Sequence, residues 1–334
     1  MFEDIAQSTD DLRAASLKQE RIPMNTLSLA PDLHASALVL GCMRIYRLTS
    51  SELDAYIHHA LDLGINFFDH ADIYGGDGGC EQLFGNWLRV NPSMRDQMLL
   101  QSKCGIVQNP DNNNVSFDFS RDHIIWSLEN SLRRLNTDHL DVYLLHRPDA
   151  LVEPEEVAKA FDELSQSGKV RYFGVSNMTA SQISLLQNSL SQKLIVNQLQ
   201  FGPAHTGMID HAIRMNTRLE FSEDHDSNTL DYCRLQGLTI QAWSPYQHGQ
   251  IHGTYIDHPE FTGLNEALAE VGAKYGLTKN GAVTAWIARH PARMQVIAGT
   301  MNAERLSEIA AGMDVKITRE DWYRIYATQG RDLP

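Results

Sequence analysis

The sequence has few cysteines and no long apolar run, and each shortage argues against a class of protein. Four cysteines occur in 334 residues, widely spaced and without a CxxC pair. We interpret them as free thiols and expect a cytoplasmic protein. No apolar run approaches the ~18 residues that a membrane-spanning helix needs. The amino-terminal region mixes charged and polar side chains, so no secretory signal is predicted.

Positive charge is also scarce. The chain carries 28 Lys and Arg against 42 Asp and Glu, a formal net charge of −14. This balance disfavours nucleic acid and anionic membranes as partners. The expected partner is therefore a small molecule, and an anionic cofactor is compatible because it needs only local positive charge. The oligomeric state stays open at this point.

The sequence does contain a regular alternation of strand-like and helix-like segments. The strand-like segments are nearly continuous apolar runs, which is typical of parallel strands covered by helices. The pattern predicts an α/β fold, a single (β/α)8 TIM barrel over residues 35–334, with an N-terminal extension or barrel cap over residues 1–34 and a C-terminal helix near Ile317–Ala327. The predicted strands are ALVLG, INFFDH, MLLQSK, LDVYLLH, VRYFGVSN, LIVNQLQ, LTIQAWS and MQVIAG.

Polar side chains follow several predicted strands at the end where barrel enzymes build their sites. Asp69 ends the second strand, Lys103 the third and His146 the fourth, and Tyr74 lies just beyond the second. Any one of these residues could be polar simply because strand ends approach solvent. Together they suggest more, because Asp69 and Lys103 on neighbouring strands can pair. The ammonium group would then lower the pKa of a nearby phenol toward a range useful for proton transfer.

Several segments, taken in order, resemble the aldo-keto reductase family. They are GINFFDHADIYG, LLQSKCG, DVYLLHRPD, GKVRYFGVSN, VNQLQF, IQAWSP and VIAGTMNAERLSE, and the resemblance runs from about Leu38 to Gly312. It implies a catalytic tetrad, with all four residue types present: Asp69, Tyr74, Lys103 and His146.

The same resemblance implies a nicotinamide cofactor. Ser176, Asn177 and Gln198 would hold its carboxamide, and amide side chains suit this because they both donate and accept hydrogen bonds. Trp243, followed by Ser244, would lie against the nicotinamide face. Two alternatives stay open here: Asn177 as a helix cap, and Trp243 as a core residue.

The last repeat helix is the expected phosphate site. Thr300, Asn302 and Arg305 lie at its beginning, where free N–H groups and the helix dipole favour an anion. By the resemblance, Arg305 would lie near the adenosine 2′-phosphate, which implies NADP rather than NAD; it could instead pair with Glu308. The sequence departs from the family pattern at two positions, Gly299, where many relatives carry a basic residue, and Ile309, where Asn is common.

The predicted function is NADPH-dependent reduction of an aldehyde or ketone to an alcohol, with Tyr74 as general acid. One alternative is a cofactor-binding, redox-sensing regulatory subunit with little turnover. Another is a barrel hydrolase, which would need two facing carboxylates rather than Asp beside Lys. No metal site is predicted, since His205, His248 and His252 match no ligand spacing. Residues expected near the substrate are Arg44, Tyr46, Trp87, the loop Gln108–Phe119, His205 and the segment from Tyr246 to His248.

Overall fold

The computed structural model of the chain describes residues 24–108, 114–217, 226–249, 251–331 and 333–334. Eight strands close into a barrel in their order along the chain, and every neighbouring pair is parallel. The predicted (β/α)8 barrel is thereby confirmed. The barrel strands are β3 (Leu38–Gly41), β4 (Phe67–Asp69), β5 (Leu99–Cys104), β8 (Leu140–Leu145), β9 (Val170–Ser176), β10 (Leu194–Gln200), β11 (Thr239–Trp243) and β14 (Met294–Ala298).

Helices cover the outside of the barrel and connect its strands. The described helices are α1 (Ser50–Asp62), α2 (Gly79–Val90), α3 (Arg121–Leu135), α4 (Pro154–Gln166), α5 (Ala180–Ser189), α6 (Gly207–Ile213), α7 (Thr229–Gln236), α8 (Thr262–Tyr275), α9 (Lys279–Ala288), α10 (Ala303–Ala311) and α11 (Arg319–Tyr326). In the part of the chain that the structure describes, no helix combines the length and apolar character that a membrane crossing requires.

Short helix-start sequences fix where several helices begin. Thr49 caps α1 and forms a capping box with Glu52. Ser120 caps α3, its side chain accepting from the His123 N–H. Thr179 caps α5 and forms a capping box with Gln182. The alternative role of Asn177 as the cap of that helix is therefore wrong.

The long connections contain elements that the sequence pattern did not predict. The connection after β5 forms a hairpin of β6 (Ile106–Gln108) and β7 (Val115–Phe117), whose tip lies outside the described residues. Helices α6 and α8 were not predicted either. A second small hairpin, β12 (Gln247–His248) with β13 (Gly253–Thr254), follows β11.

An N-terminal hairpin lies at the amino-terminal end of the barrel strands. It consists of β1 (Thr26–Ala30) and β2 (Leu33–Ser36), paired antiparallel, while the preceding residues of the expected cap lie outside the described residues. Apolar side chains of this hairpin pack against those that fill the lower barrel interior. The members of this cluster include Leu29, Leu33, Val39, Phe67, Val142, Leu144 and Val196.

Strand periodicity decides what lies above this apolar cluster. Side chains two residues apart on a strand share a face, so Asp69 lies on the same face as Phe67, and Gln101 and Lys103 on the same face as Leu99. All three polar side chains are therefore carried into the barrel and are buried. The barrel interior is apolar near the hairpin and polar toward the carboxyl ends of the strands.

Candidate active site

A lysine forms the centre of the polar end of the barrel. The Lys103 ammonium lies 2.8 and 2.9 Å from the two carboxylate oxygens of Asp69 and donates to the His70 carbonyl at 2.7 Å. Its Nζ also lies 3.1 Å from the Tyr74 hydroxyl oxygen. Lys103 is fully buried and Asp69 is 3% exposed. The carboxylate is thus the partner that a buried ammonium requires.

The loop after β4 carries Tyr74 to this point. The Tyr74 N–H donates to the Ala71 carbonyl, and the Tyr74 carbonyl accepts from the Cys80 N–H at 3.0 Å. Gly75 has φ +75°, and a Cβ on it would lie 2.8 Å from the Cys80 nitrogen. Only glycine fits this turn, which folds the chain from the strand end directly into α2. The turn therefore holds the phenol over the barrel axis.

The environment of Tyr74 differs from the sequence-based expectation. Burial raises the pKa of the Tyr74 phenol, and the nearby Lys103 ammonium offsets this only in part. The expected lowering of the pKa by the ammonium was therefore wrong in net direction, because desolvation outweighs it. For Lys103, burial alone would lower the pKa of the amine, but Asp69 and Tyr74 raise it overall. At neutral pH the amine is charged and the phenol is protonated.

His146 lies beside the phenol. The two ring centroids are 5.9 Å apart, with the ring planes nearly perpendicular. Burial, with the charges of Lys103 and Arg147, holds the pKa of the His146 imidazole well below its usual range. The ring is therefore neutral, and its buried Nδ1 has no hydrogen-bond partner. A neutral imidazole can donate one N–H to an oxygen placed beside Tyr74.

The residues expected to hold a nicotinamide carboxamide lie together at the ends of β9, β10 and β11. Asn177 adopts φ +57°, and its amide nitrogen donates to Ser176 Oγ and to the His146 carbonyl. The Trp243 indole N–H donates to Asn177 Oδ1 at 3.0 Å. The amide nitrogen of Gln198 is engaged inside the barrel, with Asp69 and Gln241. One edge of the Trp243 ring is thus held by Asn177 at the carboxyl-terminal end of the barrel, here called the mouth.

The expected phosphate residues lie at the start of α10. Asn302 caps this helix, its Oδ1 accepting from the Arg305 N–H at 2.8 Å. The Tyr56 hydroxyl donates to the Thr300 carbonyl and so fixes the preceding turn. The alternative pairing of Arg305 is not observed, because Glu308 accepts instead from residues of the α9 start. The Ser244 hydroxyl, at the end of β11, donates to Gln247.

Two arginines at the mouth were not assigned as cofactor or catalytic residues from the sequence. Arg147 follows His146 directly, and its guanidinium lies 5.6 Å from the Trp243 ring centroid. Arg44 is half-buried, and a Cβ on Gly299 would lie 2.9 Å from its Nη1. The glycine that departs from the family pattern therefore leaves room for Arg44. Arg147 stands in the quoted LHRPD motif, a signal that could have found it.

The remaining residues expected near the substrate fall into two groups, those that line a cavity and those that pack between helices. His205 helps to line a cavity of about 260 Å³, together with Arg147 and Trp243. Trp87 is buried between helices and donates to Asp54, and the Tyr246 hydroxyl bonds to Thr284. These two expected substrate contacts were therefore wrong, because their side chains serve the packing of helices outside the barrel. Across the described ranges, no group of three or more His, Cys, Asp or Glu side chains is placed to hold a metal ion.

Fold and geometry together define a (β/α)8-barrel protein whose mouth carries a Lys–Asp pair, a phenol and a neutral imidazole. The family model described as "Aldo/keto reductase family" matches residues 37–329. The chain belongs to the aldo-keto reductase family, whose members are oxidoreductases that use nicotinamide cofactors.

Individual relatives span nearly the whole chain. An uncharacterised oxidoreductase of Bacillus subtilis, YcsN, is 37% identical, over 93% of this chain and all of that protein. A 6-dehydroglucose reductase of Novosphingobium aromaticivorans is 35% identical, over 90% of this chain and 93% of that protein. Among solved structures, a thermostable aldo-keto reductase crystallised with epalrestat has a TM-score of 0.70 at 23% identity, covering 91% of this chain and 99% of that one. That likeness concerns the fold alone.

Proposed function

We propose that this protein reduces a carbonyl compound to an alcohol with NADPH, and that Tyr74 is the general acid. The observation that carries the proposal is the 3.1 Å contact between Lys103 Nζ and the Tyr74 hydroxyl, with Asp69 on the far side of the amine. Relatives named as 6-dehydroglucose reductases support a carbonyl substrate.

The proton transfer follows from the charges of these groups. A carbonyl oxygen that gains negative charge beside Tyr74 takes the phenol proton, which leaves a phenolate next to the Lys103 ammonium. The ammonium stabilises that phenolate, and the Asp69 carboxylate keeps the amine charged. Because burial raises the pKa of Tyr74, the phenol is protonated at the start of each reduction. An acid must begin the cycle with its proton in place.

His146 would act on the same oxygen. Its imidazole is neutral, so it can donate an N–H without adding a second cation near Lys103. Two donors converging on one oxygen form a site that stabilises developing negative charge. Tyr74 would supply the proton and His146 would orient the carbonyl.

The mouth residues fit a nicotinamide dinucleotide. Trp243 offers an indole ring fixed by Asn177, and the amide and hydroxyl groups of Asn177 and Ser176 suit a carboxamide. The cofactor, when bound, would supply hydride to the carbonyl carbon. The start of α10 would receive a phosphate, with Thr300 and Asn302 in the turn.

Positive charge near the phosphates favours NADPH. Arg305 is exposed at the start of α10, and Arg44 lies at the end of the neighbouring barrel strand. Neither makes an ion pair within the described residues. Guanidinium groups without carboxylate partners are available to an anion such as the 2′-phosphate.

The test is the variant Tyr74→Phe, assayed with NADPH and 4-nitrobenzaldehyde. We expect turnover to fall by roughly 10²–10⁴, the usual scale for one acid–base group, while NADPH binding, followed by fluorescence, persists. Tyr232→Phe is the matched control, since that phenol lies on α7, where it accepts from Ser184 on α5. Full activity of Tyr74→Phe would refute the role of the phenol. If the wild type completes only a few cycles while binding NADPH, the regulatory alternative is favoured.

A further inference from the structure

A chain of buried glutamines runs through the barrel below the proposed tetrad. Gln101, Gln241 and Gln295 are fully buried and Gln198 is 3% exposed. They stand on β5, β10, β11 and β14, so they reach the interior from both sides of the barrel. Amide groups are costly to bury, so four of them inside a barrel that could be filled with apolar side chains need a reason.

Two of these glutamines bond directly to Asp69. Gln101 Nε2 donates to Asp69 Oδ1 at 2.6 Å, and Gln198 Nε2 donates to the same oxygen at 3.1 Å. Lys103 lies against both oxygens of that carboxylate. Asp69 is therefore held by two amides from below and by the ammonium from the side.

Gln241 ties the two amide donors together. Its Oε1 accepts from Gln101 and from Gln198, both at 2.9 Å. Its Nε2 donates to Gln101 Oε1 at 3.1 Å and to Gln295 Oε1 at 2.9 Å. With two protons donated and two accepted, the Gln241 amide uses its full hydrogen-bonding capacity.

The orientation of each glutamine amide in this hydrogen-bonded row is set by the groups at the two ends of the row. At the lower end Gln295 Nε2 donates to the Ser36 carbonyl, which can only accept. Gln295 must then turn its oxygen to Gln241, and Gln241 must turn its own oxygen to Gln101 and Gln198. Those two amides are left with N–H groups for Asp69, so the network is consistent with an ionised carboxylate, which accepts only.

We propose that Gln101 and Gln241 are positioning residues that hold Asp69 as an oriented carboxylate and thereby keep the Lys103 amine against the Tyr74 hydroxyl. This inference rests on the proposed function, because it assigns the network a part in the same proton transfer. Gln101 acts by direct donation and Gln241 by fixing the donors.

The test compares Gln101→Met with Gln295→Met. Both replace a fully buried glutamine with an apolar side chain of similar length. Gln101 loses three hydrogen bonds of the network and Gln295 loses two, but only Gln101 touches Asp69. We expect kcat of Gln101→Met to fall about 10- to 100-fold with KM for NADPH unchanged. We expect Gln295→Met to stay within about threefold of the wild type, because the Asp69 carboxylate still accepts from Gln101 and Gln198 and so fixes the direction of these amides from the upper end.

The pH profile of kcat separates positioning from packing. Because Gln101→Met removes a hydrogen bond to the Asp69 carboxylate, the acid limb of its profile should move to higher pH, whereas that of Gln295→Met should not move. Gln241→Met should show the same shift. This second variant keeps the test decisive if Gln101→Met does not fold. Equal kcat and equal profiles for the variants at positions 101, 241 and 295 would overturn the proposal.

The two proposals fail in different ways. If Tyr74→Phe is inactive but Gln101→Met behaves like Gln295→Met, the glutamine network is structural only and the proposed function stands. If Tyr74→Phe keeps full turnover, the proposed function falls and the positioning role falls with it.

Discussion

The two ends of the barrel differ in whether their charged side chains are paired. At the end covered by the N-terminal hairpin, here called the floor, the Asp141 carboxylate accepts from Arg95 at 3.0 Å, from Arg171 at 2.8 Å and from the Leu100 N–H at 2.9 Å. Arg171 also reaches Asp32 in the hairpin turn. This buried carboxylate is therefore paired on both oxygens.

At the mouth, by contrast, several polar or charged groups have no hydrogen-bond or ion-pair partner among the described residues. The His146 Nδ1 is buried without a hydrogen bond. Arg44, Arg147 and Arg305 make no ion pair within the described part of the chain. Unsatisfied groups lower the stability of a fold and are expected where a ligand completes them. The difference agrees with the proposal that the mouth serves binding and chemistry, while the paired charges of the floor stabilise the barrel.

Within this comparison of the two ends, the largest effect should come from His146→Leu, which tests the mouth. Turnover should fall about 10³-fold, because one of the two groups on the carbonyl oxygen is lost. The free energy of unfolding should stay the same or rise, since an imidazole with an unpartnered buried nitrogen is replaced by an apolar side chain. Steady-state kinetics and urea unfolding on the same preparation measure both. A variant that loses stability while keeping its turnover would reverse the comparison.

Asp141→Ala tests the floor and should affect stability instead. Its removal leaves Arg95 and Arg171 without their shared carboxylate, and breaking a buried pair costs about 3 kcal/mol. The value of kcat/KM should stay within about twofold, because no mouth residue touches Asp141. Asp122→Ala is the control: this exposed carboxylate pairs with Arg121 on the surface, so its loss should cost less than about 1 kcal/mol. A large loss of turnover in Asp141→Ala would show that the two ends are coupled.

Much of the fold could be predicted because the barrel strands are apolar runs at regular intervals. Each predicted strand overlaps an observed barrel strand, from Leu38–Gly41 to Met294–Ala298. The missed elements are those whose local pattern is weak or lies in long polar connections. Helix α8 follows a His-rich segment, and β6 with β7 flank a run of asparagines.

The site could be predicted only in part. Asp69 and Lys103 could be paired in advance because parallel strands bring their carboxyl ends to one rim. The direction in which the pKa of Tyr74 shifts could not be predicted, since it depends on how fully the phenol is buried. The glutamine network was missed because Gln101, Gln241 and Gln295 interrupt apolar strands singly, and nothing local shows that they meet across the barrel.

The smallest effect is expected from Arg305→Ala, which asks whether a mouth cation selects the cofactor. Arg305 is exposed on the first turn of α10, so solvent and salt screen its attraction to a phosphate, and we expect KM for NADPH to rise only about tenfold. KM for NADH should not change, because NADH lacks the 2′-phosphate, and stability should change by less than about 0.5 kcal/mol. Arg319→Ala is the matched control, an exposed arginine on the first turn of α11, and it should leave both KM values unchanged. Equal changes for the two cofactors in Arg305→Ala would mean that this guanidinium contacts a group common to both, and that the preference for NADPH must come from another mouth cation such as Arg44.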